Sequence, residues 1–475
     1  MESVNLVLTG KPLKFSLSVM DSDYLDNLVI LEQLVGTLVK QSNTGILQPF
    51  LASRWEVSND EMTWKFSLRN GLLAEDGSQI TAKSYVKNLK KLLRIYSQLY
   101  SPPTFNQLKG WSDFVSGKYD AIGISYQDNT IIFEFETRPS GLLEFLSMPY
   151  YGFYVEDDFI GDKWKNTSKI TSTGAYRLEK YEDFFVKLEA REDFFSYKKN
   201  MPKNVNIFFD SVDNILSSDY EHFLISVRNK KQYVSDKAVQ FKGTPTALVA
   251  ISLSPYIEPF NNIENRRAFR KMIRKYMNDH LSSEVNLSYH FYPILKQYRL
   301  SDDYVKSMIN YNNDKVLKVF STKSESEHST YSIKMIENLL KELNIKYKFE
   351  TAEDLGNQWR DKETSNKYFP IRIVNVDIGG APENWVIDMM FCSDLGVSFP
   401  DLDGGICNIV KEYKAGKLLD TNRYNEMFHQ IIEDQAIVIP VYQLGYEWLV
   451  SKSIMRTSMS QTMNIPRFDE IEVDK

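Results

Sequence analysis

The sequence predicts an α/β protein built from two or three interleaved domains. Three observations predict it. The 475 residues exceed what one compact core holds, since domains run to about 100–200 residues. The second half alternates strand, helix and strand patterns, the order of an α/β domain. No Gly/Ser-rich linker, internal repeat or low-complexity segment divides the chain, so its domains are interleaved or tightly joined.

The elements follow in order. Residues 13–19 alternate apolar and polar like a half-buried strand, and the apolar stretch 25–40 is helix-like. Residues 54–57 and 63–68 both alternate. The polar turn Ser58-Asn59-Asp60-Glu61 joins them into a hairpin. Asp76-Gly77 marks a turn and Thr81 a helix N-cap. Ala82, Tyr85, Val86, Leu89, Leu92 and Leu93 then recur at helical spacing. Residues 131–136 return to strand character. Residues 175–181 and 186–191 make a second hairpin, and 205–209 a further strand. Residues 246–253 are almost continuously apolar, like a strand covered on both faces, and a helix is expected over 267–276. A strand at 316–320, an amphipathic helix carrying Ile333, Ile336, Leu340 and Leu343, and a strand at 347–350 come next. A polar helix around 354–362 and a buried strand at 371–376 follow. Residues 424–434 read as helix, 436–441 and 447–450 as strands.

Several function classes are excluded by what the chain carries. Net charge is -6, from 57 Lys+Arg against 63 Asp+Glu, whereas a nucleic-acid binder shows a basic excess or stripe. The densest basic stretch, Arg266 to Lys275, is interleaved with Ala268, Phe269, Met272 and Ile273 and reads as one solvated helix face. No run of about 18 apolar residues is present, so no membrane-spanning helix is expected. The first residues, Met1 to Asn5, lack the positive start and apolar run of a secretory signal. The protein is therefore cytosolic, or its signal has been removed. Neither phosphate-cradling glycine motif occurs, and no Gly-x-Ser-x-Gly run. The five histidines lack zinc-enzyme spacing, so neither a metal site nor a cofactor is expected. Adjacent acids such as Asp157-Asp158 and Asp302-Asp303 read as solvated loops. The 28 Tyr and 28 Phe can wall a ligand cleft but more commonly fill large cores. Cys392 and Cys407 are a coincidence of spacing or a disulfide closing a loop of about 15 residues.

Several separate motifs, in order over nearly the whole chain, carry a resemblance. Leu47 to Leu73, LQPFLASRWEVSNDEMTWKFSLRNGLL, is similar to a hairpin whose pattern runs P-x-L-A-x-S-W-E-V-S-x-D-G-x-T-Y-x-F-x-L-R-x-G. Asp76 to Ala82 resembles D-G-x-P-[VI]-T-A, and Thr173 to Leu178 resembles T-G-[PA]-Y-x-[LF]. Glu264 to Phe269 resembles N-x-x-V-R-[QR]-A, and Gln435 to Tyr442 resembles x-A-P-x-I-P-L-Y. Together they resemble the family 5 extracellular solute-binding proteins, which capture dipeptides, oligopeptides or nickel complexes for ABC importers. The residues of these motifs read as structural: Trp55, Trp64 and Phe66 as hairpin residues, and Gly174 as a tight bend at a domain crossing.

The resemblance implies a two-lobed periplasmic-binding-protein fold of type II, in the large cluster with an extra inserted domain and a hinge of two crossing strands. Lobe I would comprise 1–40, 170–248 and 446–475, the inserted domain 41–169, and lobe II 249–445. It further implies ligand capture by closure of the lobes, delivery to ABC permease subunits and no catalytic activity. The protein would be a monomer in the periplasm or at the cell surface, reaching the membrane through the permease or a removed lipid anchor. A cytosolic ligand-sensing domain of a regulator, or a carrier of nickel complexes or another small solute, remains the alternative.

The stretch Val374-Asn375-Val376-Asp377-Ile378-Gly379-Gly380-Ala381-Pro382 resembles the family's W-x-A-D-Y-x-x-P element, whose aspartate pairs with the ligand's α-ammonium. Asp377 holds that place. Read without the resemblance, Asp377 ends a buried strand and either faces a ligand or caps the Gly379-Gly380 turn. Val374 and Ile378 stand where the family has tryptophan and tyrosine, which alters the pocket's shape. Met20, Asp21 and Ser22 resemble the segment that runs alongside bound peptide. Tyr100 lies near a cleft-facing position of the inserted domain. Trp385 is a pocket wall or a core residue, and Arg372 pairs with a ligand carboxylate or a neighbouring acid. Family members with a cysteine pair after the aspartate element imply that Cys392 and Cys407 form a disulfide, which implies an oxidising compartment.

Overall fold

The computed structural model describes residues 3–9, 25–42, 45–97, 104–139, 141–160, 163–165, 169–227, 233, 235–242, 247–281, 286–288, 315–321, 327–351, 366–377, 386–392, 399–415, 421–444, 447–456 and 465–473. They fall into two compact units. Met1–Thr244, Gly380–Pro382 and Gly445–Lys475 belong to the first, Pro245–Gly379 and Glu383–Leu444 to the second.

The first unit contains a seven-stranded sheet. Its order is Tyr176–Glu182, Phe185–Ala190, Asn204–Phe209, Ser3–Leu8, Phe223–Val227, Glu447–Ser451, Ala238–Lys242. Ser3–Leu8 is central and runs parallel to both neighbours. The strand expected at 13–19 lies outside the described residues. Val7, Ile215, Phe223, Ile225 and Leu449 form a core on this sheet.

The helix expected over 25–40 spans Leu25–Leu34 and stops short, because another part of the chain takes its end. The Leu34 carbonyl accepts from the backbone N–H of Thr173 and of Gly174, both at 2.9 Å. A Cβ on Gly174 would lie 2.5 Å from the Gln33 carbonyl oxygen, so glycine is required there by close backbone approach. Beyond the helix, Val39–Gln41 pairs with Leu47–Pro49.

The expected hairpin is present as Ala52–Val57 and Thr63–Leu68, in a four-stranded sheet with Thr130–Glu134 and Ile124–Gln127. Phe66 is fully buried, and the half-buried Trp55 and Trp64 each stand 6.4 Å from it. Asp76 Oδ1 accepts from Ser78 N at 2.9 Å, and Gly77 takes φ +83° in the turn. Thr81 Oγ1 accepts from Ser84 N at 3.1 Å, capping the helix Ala82–Ser97.

The second unit is built on a six-stranded sheet ordered Asn286–Leu287, Val438–Leu444, Ala247–Leu253, Ile371–Asp377, Leu317–Ser321, Tyr347–Thr351. The last three strands run parallel, and the remaining pairs are antiparallel. Val249, Ile251, Ile371, Ile373, Ile439 and Val319 face a core completed by the helices Ile263–Tyr276 and Glu327–Glu342. The first helix starts four residues before the expected Arg267, because Asn262 caps it by accepting from Glu264 N at 2.8 Å. The polar helix expected around 354–362 lies outside the described residues. Gly405–Lys414 and Thr421–Gln435 are helical, and Cys392 and Cys407 are joined by a disulfide with Cα atoms 5.5 Å apart.

Candidate functional site at a strand end

The winding of the second unit marks one edge of its sheet. From Leu317–Ser321 the chain passes through helix Glu327–Glu342 to Tyr347–Thr351 on one side. Ile371–Asp377 lies on the other side of the same strand. The strand order reverses at this point. Ligands of open α/β sheets bind outside the carboxyl ends of the strands at such a reversal.

Register shows what is available there. Leu317–Ser321 pairs with Ile371–Asp377 only as far as Ser321 opposite Ile373. Val374, Asn375, Val376 and Asp377 run on past it. On their other side they stay paired with Ala250, Val249, Leu248 and Ala247. Among the described residues, the four-residue overhang therefore has one paired edge and one open edge. Asp377 sits opposite Ala247, and Ala247 opposite Leu444. Sequence reasoning found the aspartate but missed the row, whose partners are far away in sequence.

The other expected residues fall in different places. Val374 is 3% exposed. Arg372 is buried beneath the sheet, where it donates to Ser252 Oγ at 3.3 Å, and burial pushes its pKa down to about 9. It precedes Asp377 by five residues, roughly 17 Å along an extended strand. The side chains of Asn375, Val376 and Asp377, and all of Tyr100, Met20, Asp21, Ser22 and Trp385, lie outside the described residues.

A cavity of about 620 Å³ lies elsewhere, in the first unit, and is lined in part by Glu75, Asp76 and Glu179. Each of these carboxylates already has a partner: Ser172 N at 3.1 Å, Ser78 N at 2.9 Å and Lys187 Nζ at 2.9 Å. Among the described residues no group of three His, Cys, Asp or Glu side chains is placed to hold a metal, and no helix is long and apolar enough to cross a membrane.

A sheet reversing its order beside an overhanging strand end, in a chain that folds into two α/β units, fits a two-lobed periplasmic-type binding protein. Comparison with solved structures agrees over the full length. The murein tripeptide-binding protein MppA of Escherichia coli matches with TM-score 0.75 at 15% identity, covering 100% of this chain and 99% of that one. OppA of Haemophilus influenzae in complex with RPPGFSPFR matches at 0.72 and 14%, covering 99% of each. NikA of Staphylococcus aureus in complex with Ni(L-His)2 matches at 0.70 and 13%, covering 100% of each. The chain belongs to the bacterial extracellular solute-binding proteins, family 5, whose middle-domain model matches residues 47–395. Among curated sequences, the periplasmic oligopeptide-binding protein OppA of Haemophilus influenzae is 27% identical over 155 residues, 31% of this chain and 28% of the relative. The periplasmic murein peptide-binding protein MppA of Escherichia coli is 26% identical over 164 residues, 33% and 30%. The aligned part thus spans less than a third of either relative.

Proposed function

We propose that the chain captures short peptides and delivers them to the permease subunits of an ABC importer. The overhang Val374–Asp377, paired on one edge and open on the other among the described residues, is the observation that carries this reading. An extended peptide adds to such an edge through main-chain hydrogen bonds, which favour length over sequence. Asp377 at its end takes the guest's α-ammonium by a charge-assisted bond. Guest side chains enter hydrated pockets, where water fills leftover space. Closure of the two lobes encloses the guest, which contributes only its preference for the closed form.

In this reading lobe I is 1–40, 170–248 and 446–475, the inserted domain is 41–169, and lobe II is 249–445. Met20 to Ser22, Tyr100 and Trp385 lie around the guest, and Arg372, buried against Ser252, supports the strand from within. The protein acts as a monomer without cofactor, catalytic step or nucleic acid. The disulfide suits the oxidising space outside the cytoplasm. Fold alone does not choose the guest, since a protein in complex with Ni(L-His)2 shares it. The peptide reading is preferred because the curated relatives are named for oligopeptides and murein peptides.

Native mass spectrometry of freshly purified protein tests the guest class. A peptide mass supports the reading, and a nickel complex or non-peptide solute overturns it. Calorimetry tests the aspartate. Asp377→Asn is expected to weaken unblocked peptides at least about tenfold more than N-acetylated ones, a difference of about 1.4 kcal/mol. Equal losses would remove the ammonium role.

A further inference from the structure

The chain that leaves the sheet at Asp377 re-enters the described structure at Val386. Val386 and Ile387 are fully buried, and Met390 and Phe391 nearly so. They do not belong to the sheet's core, which has no member between 386 and 435 among the described residues. Phe391 packs instead against Phe399 at 5.3 Å and edge-on against Phe428 at 5.5 Å. Two links then tie the turn Asp388–Cys392 along helix Gly405–Lys414. Lys414 Nζ donates to Asp388 Oδ2 at 2.5 Å, with side chains 19% and 14% exposed. Cys392 is bonded to Cys407. The two attachment points, Cys407 and Lys414, are separated by about 10 Å of helix. Asp401 secures the helix start, its Oδ1 and Oδ2 accepting from Ile406 N and Cys407 N, each at 2.9 Å.

We propose that the Cys392–Cys407 disulfide and the Asp388–Lys414 ion pair are positioning groups for ligand capture, a two-point splint that fixes where the chain beyond Asp377 must land. The inference rests on the Asp377 reading above. A strand end is located by what holds it on both sides. Upstream, the pairs with Ala247 to Ala250 hold the overhang. Downstream, the splint holds the turn into which the chain runs. Releasing it leaves the sheet's core untouched and widens the set of positions open to the Asp377 end. A guest must then restrict more conformations on binding, which costs affinity.

The test uses the full chain with two variants, Cys392→Ala/Cys407→Ala and, separately, Asp388→Asn, so that the conclusion does not depend on the cysteine-free protein alone. Amide hydrogen exchange is followed without ligand. Exchange at Val374–Asp377 and Val386–Cys392 is expected to accelerate about tenfold, while Ile251–Leu253, paired outside the overhang, keeps its protection. Unchanged exchange at Val374–Asp377, or equal acceleration across Ile251–Leu253, overturns the splint. Calorimetry with tri-alanine and N-acetyl-tri-alanine gives the second readout. The affinity ratio between the two is expected to narrow about threefold in each variant, because discrimination depends on a preorganised site. A preserved ratio overturns the positioning role. If the unaltered protein does not distinguish the two peptides, the Asp377 reading falls, and hydrogen exchange alone decides the splint.

Discussion

Asp158 is 7% exposed, although Asp157-Asp158 reads from sequence as a solvated loop; only Asp157 is exposed. Its Oδ1 accepts from Thr171 N at 3.0 Å and from Thr171 Oγ1 at 3.2 Å. Its Oδ2 is buried with no hydrogen-bond partner among the described residues. Burial pushes the pKa up from 3.8 to about 6, against the pull of the Thr171 hydrogen bonds and with a small push from Asp76. The folded state therefore holds this proton more tightly than the unfolded chain. The favourable contribution is complete below pH 3.8 and is lost as pH rises through about 6. Asp158→Asn keeps the Oδ1 acceptor and removes the charge. It is expected to raise the melting temperature at pH 7 by a few degrees, roughly what 1 kcal/mol is worth here once solvent screening is allowed for. The gain should vanish below about pH 4. Glu32 and Glu144 are also pushed up by burial, so the difference between variant and unaltered protein is the quantity to follow across pH. A constant difference from pH 4 to 8 would show that the Asp158 charge does not matter.

At the scale of elements, helix Ile263–Tyr276 grips the end of helix Thr421–Gln435. Arg266 Nε donates to the Gln435 carbonyl at 2.8 Å, and Arg267 to that of Asp434 at 3.0 Å. Arg270 and Arg274 reach the Glu433 carboxylate at 3.1 and 2.6 Å. The last carbonyls of a helix lack intrahelical donors and carry partial negative charge, so a row of guanidinium groups suits them. The stretch Glu264–Phe269, which marks the family in sequence, is thus a clamp between two helices. The basic run that reads as one solvated face is in part buried, since Arg266, Arg270 and Arg274 are at most 8% exposed. Glu433→Gln breaks both part-buried pairs and is expected to cost about 1–3 kcal/mol in urea unfolding. Asp279→Asn, which breaks the exposed pair with Lys275 on the same run, is expected to cost less than about 0.5 kcal/mol. Similar losses for both would contradict a clamp.

At the scale of the whole molecule, local pattern was legible and long-range pairing was not. The hairpin Ala52–Val57/Thr63–Leu68, the helix Ala82–Ser97 and the strand Ala247–Leu253 announce themselves because alternation, capping and apolar runs are written within a few residues. The strand Ser3–Leu8 carries no such local signal. It is buried almost throughout and shows no alternation, and its partners Asn204–Phe209 and Phe223–Val227 lie some two hundred residues on. The site divides the same way. Asp377 is visible as a strand-ending acid within a motif, whereas the overhang and the Asp377–Ala247–Leu444 row depend on register between distant segments. Such interleaving raises the question whether the two units unfold together. Each has its own sheet and its own core, Leu449 with Phe223 and Ile225 in one, Phe269 with Ile251 and Ile371 in the other. The first unit draws its sequence from both ends of the chain, and the second from between them. Two calorimetric transitions are therefore expected in the ligand-free protein. Phe269→Ala should lower one of them by the equivalent of about 3–5 kcal/mol, and Leu449→Ala the other by about 2–5 kcal/mol, each leaving its companion nearly unmoved. A bound peptide should raise the transition of the unit that holds it by about 2.7 kcal/mol at a hundredfold excess over Kd. A single transition shifted equally by either substitution would mean that the threading couples the cores into one cooperative body.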